Sequence, residues 1–332
     1  MFYPHPSRKH NKLRVAVLMG GPSSEHEVSL KSGRNVMRAL KDKYAVQGVL
    51  VSKSGEWPFS TEELKRNADI AFIAMHGTYG EDGTVQSILD EVGMPYTGSD
   101  ALQSALAMNK FISLRALRDH GLRVPRSVLI HQVAWRRNPF AISNDINNYL
   151  HYPLIVKPNA LGSSVGVEVV EAPVGLDRTI ERGFESARDL VAQSYIPGRE
   201  FTCAVLDHGT AGTAYSLLPT EIIPRNARFF DYKEKYSRGG ALEVTPANVN
   251  EVWSREIRRA ALRAHEALGC RGMSRTDMIL GRDGALYVLE TNTIPGFTSR
   301  SLLPQGAEAM GIFFPNLLDR IVNAAFVAHH AR

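Results

Sequence analysis

Apolar and polar positions fall, over the first hundred residues, into blocks whose order defines an architecture. "LRVAVLMGG" (13–21) holds an apolar run, "VAVLM" (15–19), that stops at two glycines, the pattern of a buried strand ending in a turn. "SSEHEVSLKSGRNVMRALKD" (23–42) has helical spacing, and Ser24 with Glu27 three residues on has the form of a capping box. Two further strand patterns, "YAVQGVLVS" (44–52) and "ADIAFIAMHG" (68–77), precede a helix over "EDGTVQSILDEVG" (81–93). Strand, helix, strand, strand, helix predicts an open α/β domain that ends near Lys110.

Beyond that point the pattern changes. "NKFISLRALRDHG" (109–121) predicts a helix, and a strand ends in "VPRSVLI" (124–130). "LIVKPNALGSSVGVEVVE" (154–171) is two apolar, β-branched runs around a Gly-Ser tip, which predicts a hairpin, with a helix near 173–188. From 193 onward come "QSYIPGREFTCAVLD", a polar irregular stretch over 225–248, and a long helix at 250–268. A second hairpin, "RTDMILGRDGALYVLETN" (275–292), and a terminal helix complete the chain, with no repeats and no low-complexity segment.

Composition narrows the classes. The 332 residues suffice for two or three domains, and 44% hydrophobic with 22% charged residues is ordinary for a soluble globular protein. The formal charge of +5 points toward nucleic acid only until it is located: Arg8, Lys9, Lys12 and Arg14 crowd the first fourteen residues with no acid among them. The remainder is close to neutral, so a basic tail explains the charge and nucleic-acid binding is not expected. The apolar runs are too short to span a bilayer, and "MFYPHPSRKHNK" lacks the apolar core of a secretory signal. Cys203 and Cys270 are far apart in apolar surroundings, which predicts buried free thiols in a reducing cytosol.

Two loops carry the chemistry. Lys157 stands at the end of the first hairpin strand, where a merely flexible tip gains nothing from it, and a Gly-Ser loop offers open backbone N–H groups and hydroxyls to phosphate oxygens. Neither a Walker loop nor a G-x-G-x-x-G fingerprint occurs. In the second hairpin, "GRDG" marks the turn. With Asp283-Gly284 as the turn, Asp277 lies opposite Glu290; with Arg282-Asp283, Arg275 does. Either register puts Arg275, Asp277, Glu290 and Asn292 on one face, and two carboxylates with an amide oxygen form a hard oxygen site suited to Mg2+.

With these pieces together, the chain resembles the D-alanine–D-alanine ligases of the ATP-grasp superfamily over about residues 13–325. The resemblance rests on "GGPSSEHEVSL", "HGTYGEDGTVQSILDEVGMPYTGS", "MNK", "YPLIVKPNALGSSVGV", "DYKEKY", "SRTDM" and "LETNTIPGFTSRSLLP", in that order. It implies an α/β protein, α+β in its C-terminal part: a basic tail (1–12), an open α/β substrate domain (13–109), and a two-part ATP-grasp fold. The central subdomain of that fold is 110–192, and the C-terminal subdomain, with metal site and mobile loop, is 193–332. The implied activity is ligation of two D-alanines through a D-alanyl phosphate, with ATP and two Mg2+ ions (Mn2+ substituting), in a cytoplasmic homodimer supplying peptidoglycan synthesis.

Roles carry over by position. Glu25 is similar to the carboxylate that grips the first D-alanine's ammonium, and His76 to the residue near its carboxylate. Lys110 and Lys157 resemble the nucleotide lysines, Ser164 lies in the phosphate loop, and Glu200 resembles the ribose-binding acid. Ser163, Tyr236 and Glu25 resemble a trio that ties the mobile loop over the substrates, with Lys235 reaching the transferring phosphate. Arg275 and the Gly296 N–H resemble the oxyanion stabilisers, and Ser301 and Leu302 the positions for the second D-alanine's carboxylate, near the start of the terminal helix. Asp277, Glu290 and Asn292 are the implied metal ligands. Three positions depart from the family: Leu161 and Gln193 stand where acids are common, and Asn109 replaces an aspartate. Alternatives are a related ligase using D-lactate or D-serine, of which Tyr236 argues against the ester-forming D-lactate enzyme, and an inactive ATP-binding sensor on the same fold.

Overall fold

The structure, a computed structural model, describes residues 12–162, 166–210, 212–224, 241–298 and 300–330. The basic tail apart from Lys12, and Ser163, Ser164, Lys235 and Tyr236, therefore lie outside the described residues.

The first part is a three-stranded parallel sheet. β1 (Arg14–Gly20) runs between β2 (Ala45–Val51) and β3 (Ile70–Ile73), so every residue of β1's middle is covered on both faces, as its unbroken apolar run requires. α1 (His26–Leu40) packs on β1, and Gly33 permits the approach, because a methyl there would meet Met19 Cβ at 2.7 Å. The expected capping box does not form. The N-cap is Glu25, whose side chain caps nothing, and Ser23 rather than Ser24 accepts from Glu25 N at 2.8 Å while donating to His76 O. A cap of that kind occurs instead at α2 (Thr61–Asn67), where Ser60 accepts from Glu63 N; the sequence reading passed over this helix. α3 (Thr84–Glu91), α4 (Ala101–Met108) and α5 (Lys110–Asp119) follow.

The middle is a four-stranded antiparallel sheet in the order β4 (Ser127–His131), β7 (Asp189–Ser194), β5 (Leu154–Pro158), β6 (Glu168–Val170). The expected hairpin is present, Leu154 opposite Val170. Two unexpected helices cover the sheet, α6 (Gln132–Arg137) and α7 (Pro139–Tyr149); Asn138 caps the latter, with Pro139 in its first turn. The helix foreseen at 173–188 is shorter: a 3-10 turn at Pro173–Gly175 leads into α8 (Leu176–Gly183), which stops where Gly183 comes close to Leu190.

The third sheet runs β11 (Leu242–Val244), β10 (Thr220–Ile223), β8 (Gly198–Leu206), β12 (Met273–Gly281), β13 (Leu286–Asn292), with β9 (Tyr215–Ser216) beside β8. α9 (Glu251–Ala267), capped by Asn250, packs against β8 and β12 and buries Cys203 and Cys270 near it; burial pushes both thiols up to about 12. The foreseen terminal helix is two, α10 (Leu302–Glu308) and α11 (Phe314–His330), parted by Gly311 at φ +75°. α11 returns to α1 and β3 while α10 packs on β8, and one core runs from Leu18 and Phe72 to Phe297, Leu303 and Ile321. Phe297 meets Phe72 edge-on, ring centroids 5.2 Å apart.

A buried Asp207–His265–Ser274 chain fixes the start of β12. His265 Nδ1 lies 2.8 Å from Ser274 Oγ and its Nε2 3.4 Å from Asp207 Oδ2, and Asp207 also accepts from Gly209 N and Gly272 N. The trio resembles a hydrolase triad in composition only, since Ser274 is fully buried. Burial alone would raise the Asp207 carboxyl, but the bonds from His265 and the two backbone N–H groups outweigh it and hold the group below the usual aspartate range. A depressed carboxyl stabilises the fold above the unfolded value of about 4 and loses that contribution as pH falls through its folded value. Asp207→Asn should therefore lower unfolding free energy at pH 7 by about 1–3 kcal/mol, with the difference from wild type shrinking below pH 4. Denaturant titrations of both proteins across that range check this; a difference independent of pH would contradict it.

Candidate active site

The second hairpin aligns the charged rung by a route the sequence reading did not foresee. Gly284 N bonds Gly281 O and Gly281 N bonds Ala285 O, so the turn has three residues, Arg282-Asp283-Gly284, with Gly284 at φ +75°. That turn pairs Ile279 with Tyr287, and a bulge at Leu289 then shifts the register by one. Beyond the bulge Asp277 lies opposite Glu290 and Arg275 opposite Asn292. Neither proposed two-residue turn is present, yet the four side chains share one face as expected.

The middle and third sheets face each other across a cleft of about 250 Å³. On the third sheet Glu200 and Ile279 pair at one level, and Asp277 and Glu290 stand two residues further along. On the middle sheet Gln193 pairs with Ile155, and Lys157 is two residues beyond. All of these line the cleft with Lys110 and Leu161. Period-two alternation thus gives each wall an apolar and polar rung followed by a charged one.

Lys110 is the pivot between the walls. It opens α5, where Asn109 Oδ1 accepts from Ile112 N; an amide oxygen does what an aspartate would do, so that departure leaves the cap intact. Asn159 fixes the helix start by accepting from Lys110 N and Phe111 N. Lys110 Nζ donates to Leu161 O at 2.6 Å and lies 3.7 Å from Glu290 Oε2. The loop is held there by the backbone of Leu161, to which the side chain's identity is indifferent.

Arg275 holds Asp277 bidentately, Nε to Oδ1 at 3.0 Å and Nη2 to Oδ2 at 2.9 Å, and Thr202 Oγ1 donates to the same carboxylate. Burial would lower the Arg275 pKa; Asp277, with Glu290 and Glu81 further off, more than reverses this, so the guanidinium stays charged.

At the other end, Glu25 reaches two loops. A methyl on Gly77 or on Gly162 would stand 2.8 Å from Glu25 Oε2. His76 lies behind, almost fully buried, with Ser32 Oγ 2.8 Å from Nε2 and Ile294 O 3.2 Å from Nδ1. Ile294 O can only accept, so Nδ1 carries a ring proton toward it, and Ser32 Oγ also accepts from Phe297 N. Gly296, where a methyl would meet Ser301 Oγ at 2.6 Å, lies in the same loop, and Ser301 is the N-cap of α10 with Leu302 its first residue.

Glu81 was missed by sequence reasoning, although it lies within "HGTYGEDGT". It accepts from Gly77 N at 2.9 Å and sits 3.7 Å from His76 Nδ1. Burial chiefly, with the charge of Glu25, raises its pKa against the opposing pull of His76 and Gly77. Glu221, ion-paired to Arg199 at 2.8 Å and lining the cleft, was missed too; nothing in a strand reading "TEII" marks it.

Two antiparallel sheets closing on one cleft, a lysine-bearing hairpin on one side and paired carboxylates on the other, are the architecture of the ATP-grasp class. Within that class, the family models described as D-ala D-ala ligase N-terminus and D-ala D-ala ligase C-terminus match residues 14–66 with 58–99, and 116–323. The chain belongs to the D-ala D-ala ligase family. A D-alanine–D-alanine ligase of Syntrophobacter fumaroxidans is 42% identical over 95% of this chain and 98% of its own length, and one of Desulfotalea psychrophila is 40% identical over 95% of each. Among solved structures, the VanG D-Ala:D-Ser ligase of Enterococcus faecalis superposes with TM-score 0.83 at 32% identity, covering 95% of this chain and all of that one. The D-alanine–D-alanine ligase of Coxiella burnetii gives 0.83 at 28%, covering 97% and 96%.

The raised pKa of Glu81 makes a testable demand. A buried carboxyl with a raised pKa weakens the fold once pH passes the unfolded value of about 4.3. Glu81→Gln should therefore raise the thermal midpoint at pH 7, and leave it close to wild type at pH 4, while impairing function. A lower midpoint at pH 7 would show that the ionised carboxylate supports the fold.

Proposed function

We propose that the protein joins two D-alanine molecules into D-alanyl-D-alanine, converting ATP to ADP and phosphate, and so supplies a cytoplasmic precursor of peptidoglycan. The observation that carries this reading is the cleft itself, with Lys110 and Lys157 facing Asp277 and Glu290, and Arg275 clamped to Asp277.

In the first step a carboxylate oxygen of one D-alanine attacks the γ-phosphorus, the bond to ADP breaks, and an acyl phosphate forms. In the second, the amine of the other D-alanine attacks the acyl carbon, loses a proton, and phosphate leaves. An anion must approach a polyanion in the first step, and Lys110 and Lys157 offset that repulsion from the loop side. Glu25 holds the first ammonium, with His76 near the carboxylate. In the second step Arg275, kept charged by its neighbours, and the Gly296 N–H face the oxyanion. Ser301 and Leu302 receive the second carboxylate, and Glu200 the ribose. Ser163, Ser164, Lys235 and Tyr236 keep the loop roles assigned from the sequence.

Asp277, Glu290 and Asn292 fit a divalent cation: two carboxylates and an amide oxygen on one face, with Asn292 making no side-chain hydrogen bond among the described residues. Among those residues no three acid, histidine or cysteine side chains gather into a cage, as suits Mg2+, which takes one or two carboxylates and completes its shell with phosphate oxygens and water. When bound, Mg2+ (or Mn2+) would neutralise phosphate charge and polarise the γ-phosphoryl group.

The solved D-Ala:D-Ser ligase fits this backbone as well as the D-alanine–D-alanine ligase does, so the second substrate must be tested directly. Phosphate release with ATP and Mg2+ should depend on D-alanine, yield one phosphate per dipeptide, and be weak with D-serine, D-lactate or L-alanine. Release indifferent to D-alanine would contradict the reading. Glu290→Gln should abolish turnover and weaken Mn2+ binding in the presence of an ATP analogue, with the fold intact, since a neutral amide cannot replace the charge. Turnover near wild type would remove Glu290 from the metal site.

A further inference from the structure

We propose that Ser127 is a positioning residue that fixes the Gln193 amide so that the cleft accepts a 6-amino purine and rejects a 6-oxo purine. The inference rests on the reading of this cleft as a nucleotide site.

Gln193 lies on β7, 2% exposed, directly between Ser127 on β4 and Ile155 on β5. Directly paired residues of neighbouring strands project to the same face, and Gln193 and Ile155 line the cleft. A primary amide presents an NH2 donor on one side and a carbonyl acceptor on the other, and rotation by half a turn exchanges them. Left free, Gln193 would suit an exocyclic amine in one orientation and an exocyclic carbonyl in the other.

Ser127 removes that freedom. Its hydroxyl donates to Pro125 O at 3.1 Å, and a serine has one proton to give. Toward Gln193 the Ser127 oxygen is therefore an acceptor, and Gln193 Nε2 donates to it at 3.2 Å. A rotated amide would set Oε1 against the Ser127 oxygen, and the hydroxyl could serve it only by giving up Pro125 O. The chain runs from Gln193 NH2 to Ser127 Oγ to Pro125 O, and Oε1 is the amide atom left for a ligand. An amine at purine position 6 donates to it; a carbonyl there would place two acceptors face to face. A glutamate at this position would be an acceptor in either rotamer and need no such partner. Glutamine does, and the second bond from Ser127 to Pro125 is what makes the exchange of residue harmless.

ATP and ITP are the probes, since ITP carries a carbonyl in place of the 6-amine. Calorimetric titration of each nucleotide with Mg2+ should show the wild type preferring ATP. Ser127→Ala should lower the ratio of the two affinities tenfold or more, chiefly by tightening ITP. Gln193→Glu should keep the preference, and adding Ser127→Ala to it should change the ratio little, because a carboxylate has no donor to turn inward. An unchanged ratio in Ser127→Ala, or an equal fall in both backgrounds, would overturn the proposal; the second result would make Ser127 a packing residue. Phosphate release on the same proteins keeps the two readings apart. Nucleotide binding without D-alanine-dependent release would count against the ligase and leave the Ser127 result standing.

Discussion

Asp277 and Glu290 face each other across neighbouring strands, and two carboxylates so placed repel. The fold around the cleft is arranged to hold them there. Arg275 takes Asp277 in a two-bond clamp from its own strand, and Lys110 approaches Glu290 from another part of the chain. The bulge at Leu289 sets the pair in register, and the Asn109 cap with Asn159 sets Lys110. Because Lys110 also bonds Leu161 O, the charge balance of one sheet is tied to the loop of the other. Ligand phosphates entering between these walls would meet cations on one side and carboxylates on the other, and the proposed divalent cation would offset the carboxylate charge.

A second coupling joins the cleft to the N-terminal sheet. The 294–297 segment is bound to α1 and to the end of β3: Phe297 N donates to Ser32 Oγ, Asn35 Nδ2 donates to Phe297 O, and His76 meets Ile294 O. The His76 ring has both nitrogens engaged, so its bonds serve to hold Gly296 and the Gly77 loop at a fixed separation. Glu25 and Glu81 then stand where α1, that loop and the Gly162 turn meet, and the buried Glu81 charge is the stability cost of assembling them.

Much of this was legible in the sequence wherever periodicity and burial agree. The unbroken β1 run, the 154–171 hairpin and the Asn250-capped helix stand where expected, and the period-two argument placed Arg275, Asp277, Glu290 and Asn292 on one face under either register. Local side-chain choices were less legible. Ser24 and Glu27 match a capping pattern, but the neighbouring Ser23 is spent on His76 O and the helix starts one residue later; the working cap at Ser60 went unread. The three-residue turn depends on Gly284 adopting a left-handed backbone and on a bulge, neither of which a four-letter turn motif specifies. Glu81, Glu221 and Ser127 were missed because each acts through a partner that only folding brings to it: Glu25 for Glu81, Arg199 for Glu221, and Gln193 for Ser127.

The path of one oxygen atom tests the proposed acyl phosphate. With D-alanine labelled by 18O in its carboxylate, the oxygen that attacks the γ-phosphorus becomes the bridge of the acyl phosphate and leaves with the phosphate in the second step. The predicted result is one 18O atom in each inorganic phosphate released, with ADP unlabelled. Unlabelled phosphate, or label recovered in AMP, would contradict it.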